Sequence, residues 1–116
     1  MEYSQAYRLA QEIRNSEEYL TFHGLRDQVM ADETTAALIR EYRRLSVTLQ
    51  MAAVSGQQAD AETMQRFSGV SALLFANQQA AQYLLAEMRL QQTLADIFKI
   101  LTEAADIDLG LPDISG

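Results

Sequence analysis

Apolar residues recur at spacings of three and four through most of the chain, which is the period of one helix face and not the alternation of a strand. Tyr3, Ala6, Tyr7, Ala10 and Ile13 predict a first helix from Glu2 to Arg14. Asn15-Ser16 interrupts it, and Ser16 is placed to cap a second helix whose first turn holds Glu17 and Glu18, where negative charge suits the dipole. Tyr19, Phe22, Leu25, Val29 and Met30 are its core candidates, and it fades near Ala31. Asp32 is the next N-cap candidate. From Glu33 to about Val54, Leu38, Tyr42, Leu45, Leu49 and Ala52 step by four and three, a heptad seam. Ser55-Gly56-Gln57-Gln58 reads as a loop with Gly56 as a left-handed cap, and Asp60 with Glu62 opens a fourth helix, about Ala61 to Ala76. That helix carries Met64, Phe67, Val70, Leu73 and Leu74. Gly69 inside it either costs about 1 kcal/mol against Ala or lets another helix approach closely. Asn77 is read as a break and a new cap.

The last predicted helix, Gln78 to about Ala105, carries two apolar seams. One is Tyr83, Leu90, Leu94, Ile97 and Leu101; the other is Ala81, Leu84, Met88, Ala95 and Phe98. At 1.5 Å per residue the helix is about 40 Å long, longer than a compact domain of this size is wide. One chain cannot cover both seams along that length, so the pattern implies a second copy. The expectation is an all-α fold: about five helices in an elongated antiparallel bundle, oligomerising through the apolar face of the long C-terminal helix. Its interface candidates are Tyr83, Leu84, Met88, Leu90, Leu94, Ile97, Phe98 and Leu101. Glu87 interrupts the first seam where an apolar residue belongs. A carboxylate there needs a partner, and Arg40, Arg43 or Arg44 is expected to supply it and fix helix register. A single helical domain is expected over 1–106. Gly110 and Pro112 stop helix beyond it, leaving residues 107–116 as a flexible acidic tail.

Composition narrows the chemistry. The 116 residues include no Cys and one His, His23, which excludes a disulfide frame, a thiolate nucleophile, Cys-ligated metal and a two-histidine metal motif. No metal, cofactor or catalytic residue is expected. His23 is the one candidate general base, and a half-exposed helix histidine is the simpler reading. The isolated glycines form no phosphate loop. Nine basic residues against 16 acidic ones give a net charge of −7, which disfavours direct contact with nucleic acid or an anionic membrane. No apolar run approaches a membrane span, and the N-terminus has no signal-peptide pattern, so a cytoplasmic protein is expected. The sole basic cluster, Arg40, Arg43 and Arg44, is either a partner-contact patch or a solvated helix face paired with Glu41.

The order of motifs resembles the bacterial YlbF/YmcA family, with its YheA-like members, over residues 3 to 105. The resemblance rests on A-Y-x-L-A-x-x-I-R-N-S-x-E-Y, on L-I-R-E-Y-R-R-L after Asp32, and on N-x-x-A-x-x-Y-L-x-A-E-x-R-L followed by L-x-D-I-F-K-I-L. Its most diagnostic parts are Arg14 to Tyr19 and Asn77 to Leu90. The resemblance implies an all-helical, homo-oligomeric, non-enzymatic regulator that acts with other YlbF/YmcA-family proteins on the endoribonuclease RNase Y. Through mRNA processing it would influence competence, biofilm formation and sporulation. Asn77, Glu87 and Arg89 match the family pattern as packing determinants. Some members of the partner complex hold iron–sulfur clusters on cysteines, and this chain has none. Two alternatives stand beside this reading: a YheA-like homo-oligomer of unassigned function, and a bundle binding a small ligand among Tyr7, Tyr42, Tyr83 and Met64.

Overall fold

The computed structural model describes residues 1–107. It is all-α, with five helices: α1 Ser4–Arg14, α2 Glu17–Met30, α3 Glu33–Val54, α4 Ala61–Ala76 and α5 Gln78–Ala105. Of the tail expected over 107–116, only Ile107 is described; residues 108–116 lie outside the described residues.

The boundaries follow local chemistry. The Ser16 hydroxyl accepts from the Tyr19 amide at 3.2 Å and donates to the Ile13 carbonyl at 2.6 Å, closing one helix and opening the next. Asp60 caps α4 by accepting from the Glu62 amide at 3.0 Å. Asn77 breaks the chain with extended backbone (φ −90°, ψ 115°), and its side-chain oxygen accepts from the Ala80 amide at 3.1 Å. Asp32 departs from expectation. Its backbone is extended, as for a cap, but its carboxylate makes no capping bond and instead accepts from the Thr35 hydroxyl at 2.7 Å.

Gly56 has φ +74°, and the Gln57 amide reaches the Ala52 carbonyl at 2.9 Å while the Gly56 amide reaches Ala53 at 3.3 Å. This is the paired closure of a Schellman motif, which favours glycine at the left-handed position. The same closure ends α5, from Ile107 to Thr102 and from Asp106 to Glu103, with Asp106 at φ +52° in the glycine position. The first helix begins at Ser4 rather than Glu2 and buries none of its residues.

The chain divides into two compact units. The unit Leu25–Tyr83 holds the end of α2, all of α3 and α4, and the first turns of α5. Here α3 and α4 pack on each other. Tyr42 of the α3 seam stacks on Phe67 of α4 with ring centres 5.3 Å apart, and meets Phe75 edge-on at 6.4 Å. Val29, Ala36, Ile39, Leu45, Leu74, Ala80 and Tyr83 are its buried apolar residues. Completely burying side chains such as Ile39 and Leu74 contributes roughly 1.5–3 kcal/mol each. Nothing lies within 4 Å of a Cβ built on Gly69, so the close-approach reading of that glycine fails within the described chain.

The other unit, 1–24 with 84–107, holds α1, the first turns of α2 and most of α5. Leu84, Ala86 and Ala95 are its buried residues, which is a small core for this length of helix.

Candidate interaction surface

Helix α5 is the element that sequence singled out, and its exposure is uneven. Two of the expected interface residues belong to the interior of the chain itself: Tyr83 is 1% exposed and Leu84 is 5% exposed. Their places in the apolar seams are real, but the chain's own folding occupies them, so they are not open to a second copy. Leu90 and Ile97 are half-buried, and Met88 is exposed.

Toward the C-terminal end, Leu94 (45%), Phe98 (41%) and Leu101 (55%), drawn from both seams, are open and spaced four and three on one face. The charged residues of this stretch lie elsewhere. At about 100° per residue, Arg89, Asp96, Lys99 and Glu103 all fall within an arc of about 80° on the opposite side. Leu85 and Ile100 are also exposed and were not among the expected interface residues. Their signal was hidden because they belong to neither seam. Glu87 is half-buried, and it lies on the same side of the helix as Leu94, Phe98 and Leu101, two turns before Leu94.

The arginine cluster of α3 does not act as one undivided patch. Arg43 donates from Nη2 to the Tyr83 hydroxyl at 3.0 Å, which gives that buried phenol a polar partner. Arg44 forks onto Glu41, with Nε at 3.1 Å from Oε2 and Nη2 at 2.7 Å from Oε1. The Arg44 hydrogen bond holds the Glu41 carboxyl below its ordinary range, with further help from Arg66 at 3.9 Å, and Glu41 raises Arg44 in return. Glu41 therefore pairs within the cluster, as the plainer sequence reading had it. Arg40, Arg43 and Arg44 nonetheless all keep exposed side chains. A surface hollow of about 230 Å³ lies beside Arg44, lined also by Leu45, Thr48, Asp60, Glu62, Thr63 and Arg66.

The residues proposed for a ligand cavity occupy different settings. Tyr83 is interior, Tyr42 is stacked on Phe67, and Tyr7 and Met64 are exposed. His23 lies half-buried on α2 with its ring 4.3 Å from Tyr19 and 5.7 Å from Phe22. Among the described residues no helix is long and apolar enough to cross a membrane.

The architecture defines an all-helical protein with an exposed apolar stripe on its longest helix. Comparison with known proteins places it further. The family model described as control of competence regulator ComK, YlbF/YmcA, matches residues 3–105, and the chain belongs to this YlbF/YmcA family. A UPF0342 protein of Halothermothrix orenii is 31% identical over 107 residues, covering 92% of this chain and 91% of that protein. A UPF0342 protein of Bacillus velezensis is 31% identical over 99 residues, covering 85% of each. A solved structure of a protein of unknown function (DUF964) from Bacillus stearothermophilus superposes with a TM-score of 0.72 at 21% identity, covering 90% and 91% of the two chains, and so shares the fold.

Proposed function

We propose that this chain is a non-enzymatic helical adaptor that self-associates through α5 and regulates by protein contact. The observation that carries the reading is the open stripe of Leu94, Phe98 and Leu101, with no charged residue on that face between residues 88 and 105. The stripe suits a second copy. Antiparallel pairing about a two-fold axis sets Leu94 opposite Leu101 and puts Phe98 beside the axis, so one patch complements itself. Glu87, half-buried at the N-terminal end of this stripe, then fixes register, the best-attested role of a polar group in a seam.

The family description supports a regulatory role linked to competence. Within that role we place the protein in the cytoplasm, acting with other YlbF/YmcA-family proteins on RNase Y-dependent mRNA processing, and through it on competence, biofilm formation or sporulation. The net charge of −7 favours contact with protein over contact with RNA. A second reading is a YheA-like homo-oligomer of unassigned function, supported by relatives whose UPF0342 names state no regulatory role. Purifying the tagged chain from its native cells separates the two. Recovery of RNase Y or of other family members supports the regulator; recovery of the chain's own untagged copy alone supports the second reading.

A further inference from the structure

The arginine cluster has a continuation that the α5 surface does not use. On α3, Val47, Met51 and Val54 are 53%, 67% and 89% exposed. Their spacing of four and three puts them on one face, and Arg40, Arg43 and Arg44 extend that same face toward the helix N-terminus. The heptad seam of α3 lies elsewhere on the helix, where Leu45 is buried and Tyr42 stacks on Phe67. The result is a strip about 21 Å long from residue 40 to residue 54, basic at one end and apolar at the other.

We infer that this strip is a docking site for an acidic amphipathic helix of a partner protein. The inference rests on reading the chain as an adaptor, and it adds a second surface with its own partner chemistry. Charge complementarity decides the occupant. The chain as a whole repels acidic segments, but the sequence from 40 to 44 holds three arginines against one glutamate, the densest positive charge in the chain. A purely basic patch would suit nucleic acid; this one runs directly into three exposed apolar side chains, which an RNA backbone cannot match and an amphipathic helix can. Two of the arginines are already oriented, Arg43 by the Tyr83 phenol and Arg44 by the Glu41 fork, so little side-chain freedom is lost on binding.

The test is fluorescence anisotropy with the full chain. The probe is a labelled 15-residue helical peptide with glutamates in its first two turns and leucines at helical spacing in the rest. A second probe replaces each glutamate with lysine. The acidic probe binds, and its affinity falls as salt rises. The double variant Arg40→Glu with Arg44→Glu, and separately Met51→Glu, each weaken it by about tenfold or more, while Arg40→Lys with Arg44→Lys stays within about threefold. The lysine probe binds at least about tenfold more weakly than the acidic one. All these positions are exposed, and unchanged circular dichroism confirms folding. The inference is overturned if the acidic probe fails to bind, if both glutamate variants bind it normally, or if a 12-mer of single-stranded RNA outcompetes it. Loss of binding on Phe98→Glu but not on Met51→Glu also overturns it; that result places the peptide on α5 and leaves the adaptor reading intact.

Discussion

Leu73 and Leu74 are neighbours of the same type on the same helix, and the structure assigns them opposite fates. Leu74 is 0% exposed in the core of the Leu25–Tyr83 unit, while Leu73 is 61% exposed. Truncating Leu74 to Ala removes three carbon atoms from a sealed site. Transfer alone, at about 0.8 kcal/mol per carbon, sets a loss of about 2.4 kcal/mol. The cavity left behind raises the expected loss to about 3–4 kcal/mol, within the range of buried Leu→Ala changes. Truncating Leu73 removes the same atoms from a site that water already reaches, and the expected loss is below about 0.5 kcal/mol. Urea denaturation followed by far-UV circular dichroism, repeated at two protein concentrations, measures both. A loss under about 1 kcal/mol for Leu74→Ala would refute this packing of α4. A large, concentration-dependent loss for Leu73→Ala would show that a second copy covers α4 in addition to α5.

Gly69→Ala gains about 1 kcal/mol of stability in thermal melts, because helix propensity favours Ala and nothing lies within 4 Å of the new methyl. The buried Ser71 hydroxyl has no hydrogen-bond partner among the described residues, so Ser71→Ala is neutral or stabilising by up to about 1 kcal/mol in urea denaturation. Asp60→Ala loses about 1 kcal/mol by removing the only side-chain bond at the start of α4 seen among the described residues, again read from urea midpoints. The Glu41 carboxyl titrates below its ordinary value of 4.5 because Arg44 and Arg66 favour its charged form. Its contribution is therefore fully present above the unfolded-state pKa and is lost as pH falls through the lower folded one. Acid titration of Glu41→Gln against the parent chain, monitored by circular dichroism, shows the parent losing more stability across that window.

Where sequence succeeded, the cause was local. Ser16, Gly56, Asp60 and Asn77 each act through bonds to residues at most five positions away, so residue type and position were enough to place the helix ends. Asp32 shows the limit of the same logic, since a hydroxyl at Thr35 competes for the carboxylate that would have capped α3. Periodicity located the apolar faces of α5 but could not say which part of a wide stripe the chain covers with its own residues. Tyr83 and Leu84 therefore read as interface and proved to be core. The Arg43–Tyr83 bond joins residues 40 positions apart and leaves no trace in spacing. On α3 the seam through Leu45 is so regular that it masks the exposed stripe of Val47, Met51 and Val54 on another face.

Self-association through α5 is the central claim, and sedimentation equilibrium of the full chain at micromolar concentration tests it most directly. The expected mass is at least twice the 13.0 kDa of one chain, falling to the single-chain value in Phe98→Glu with helical content unchanged. A parent chain that stays at 13.0 kDa across the micromolar range, or a Phe98→Glu variant that associates as strongly as the parent, contradicts it.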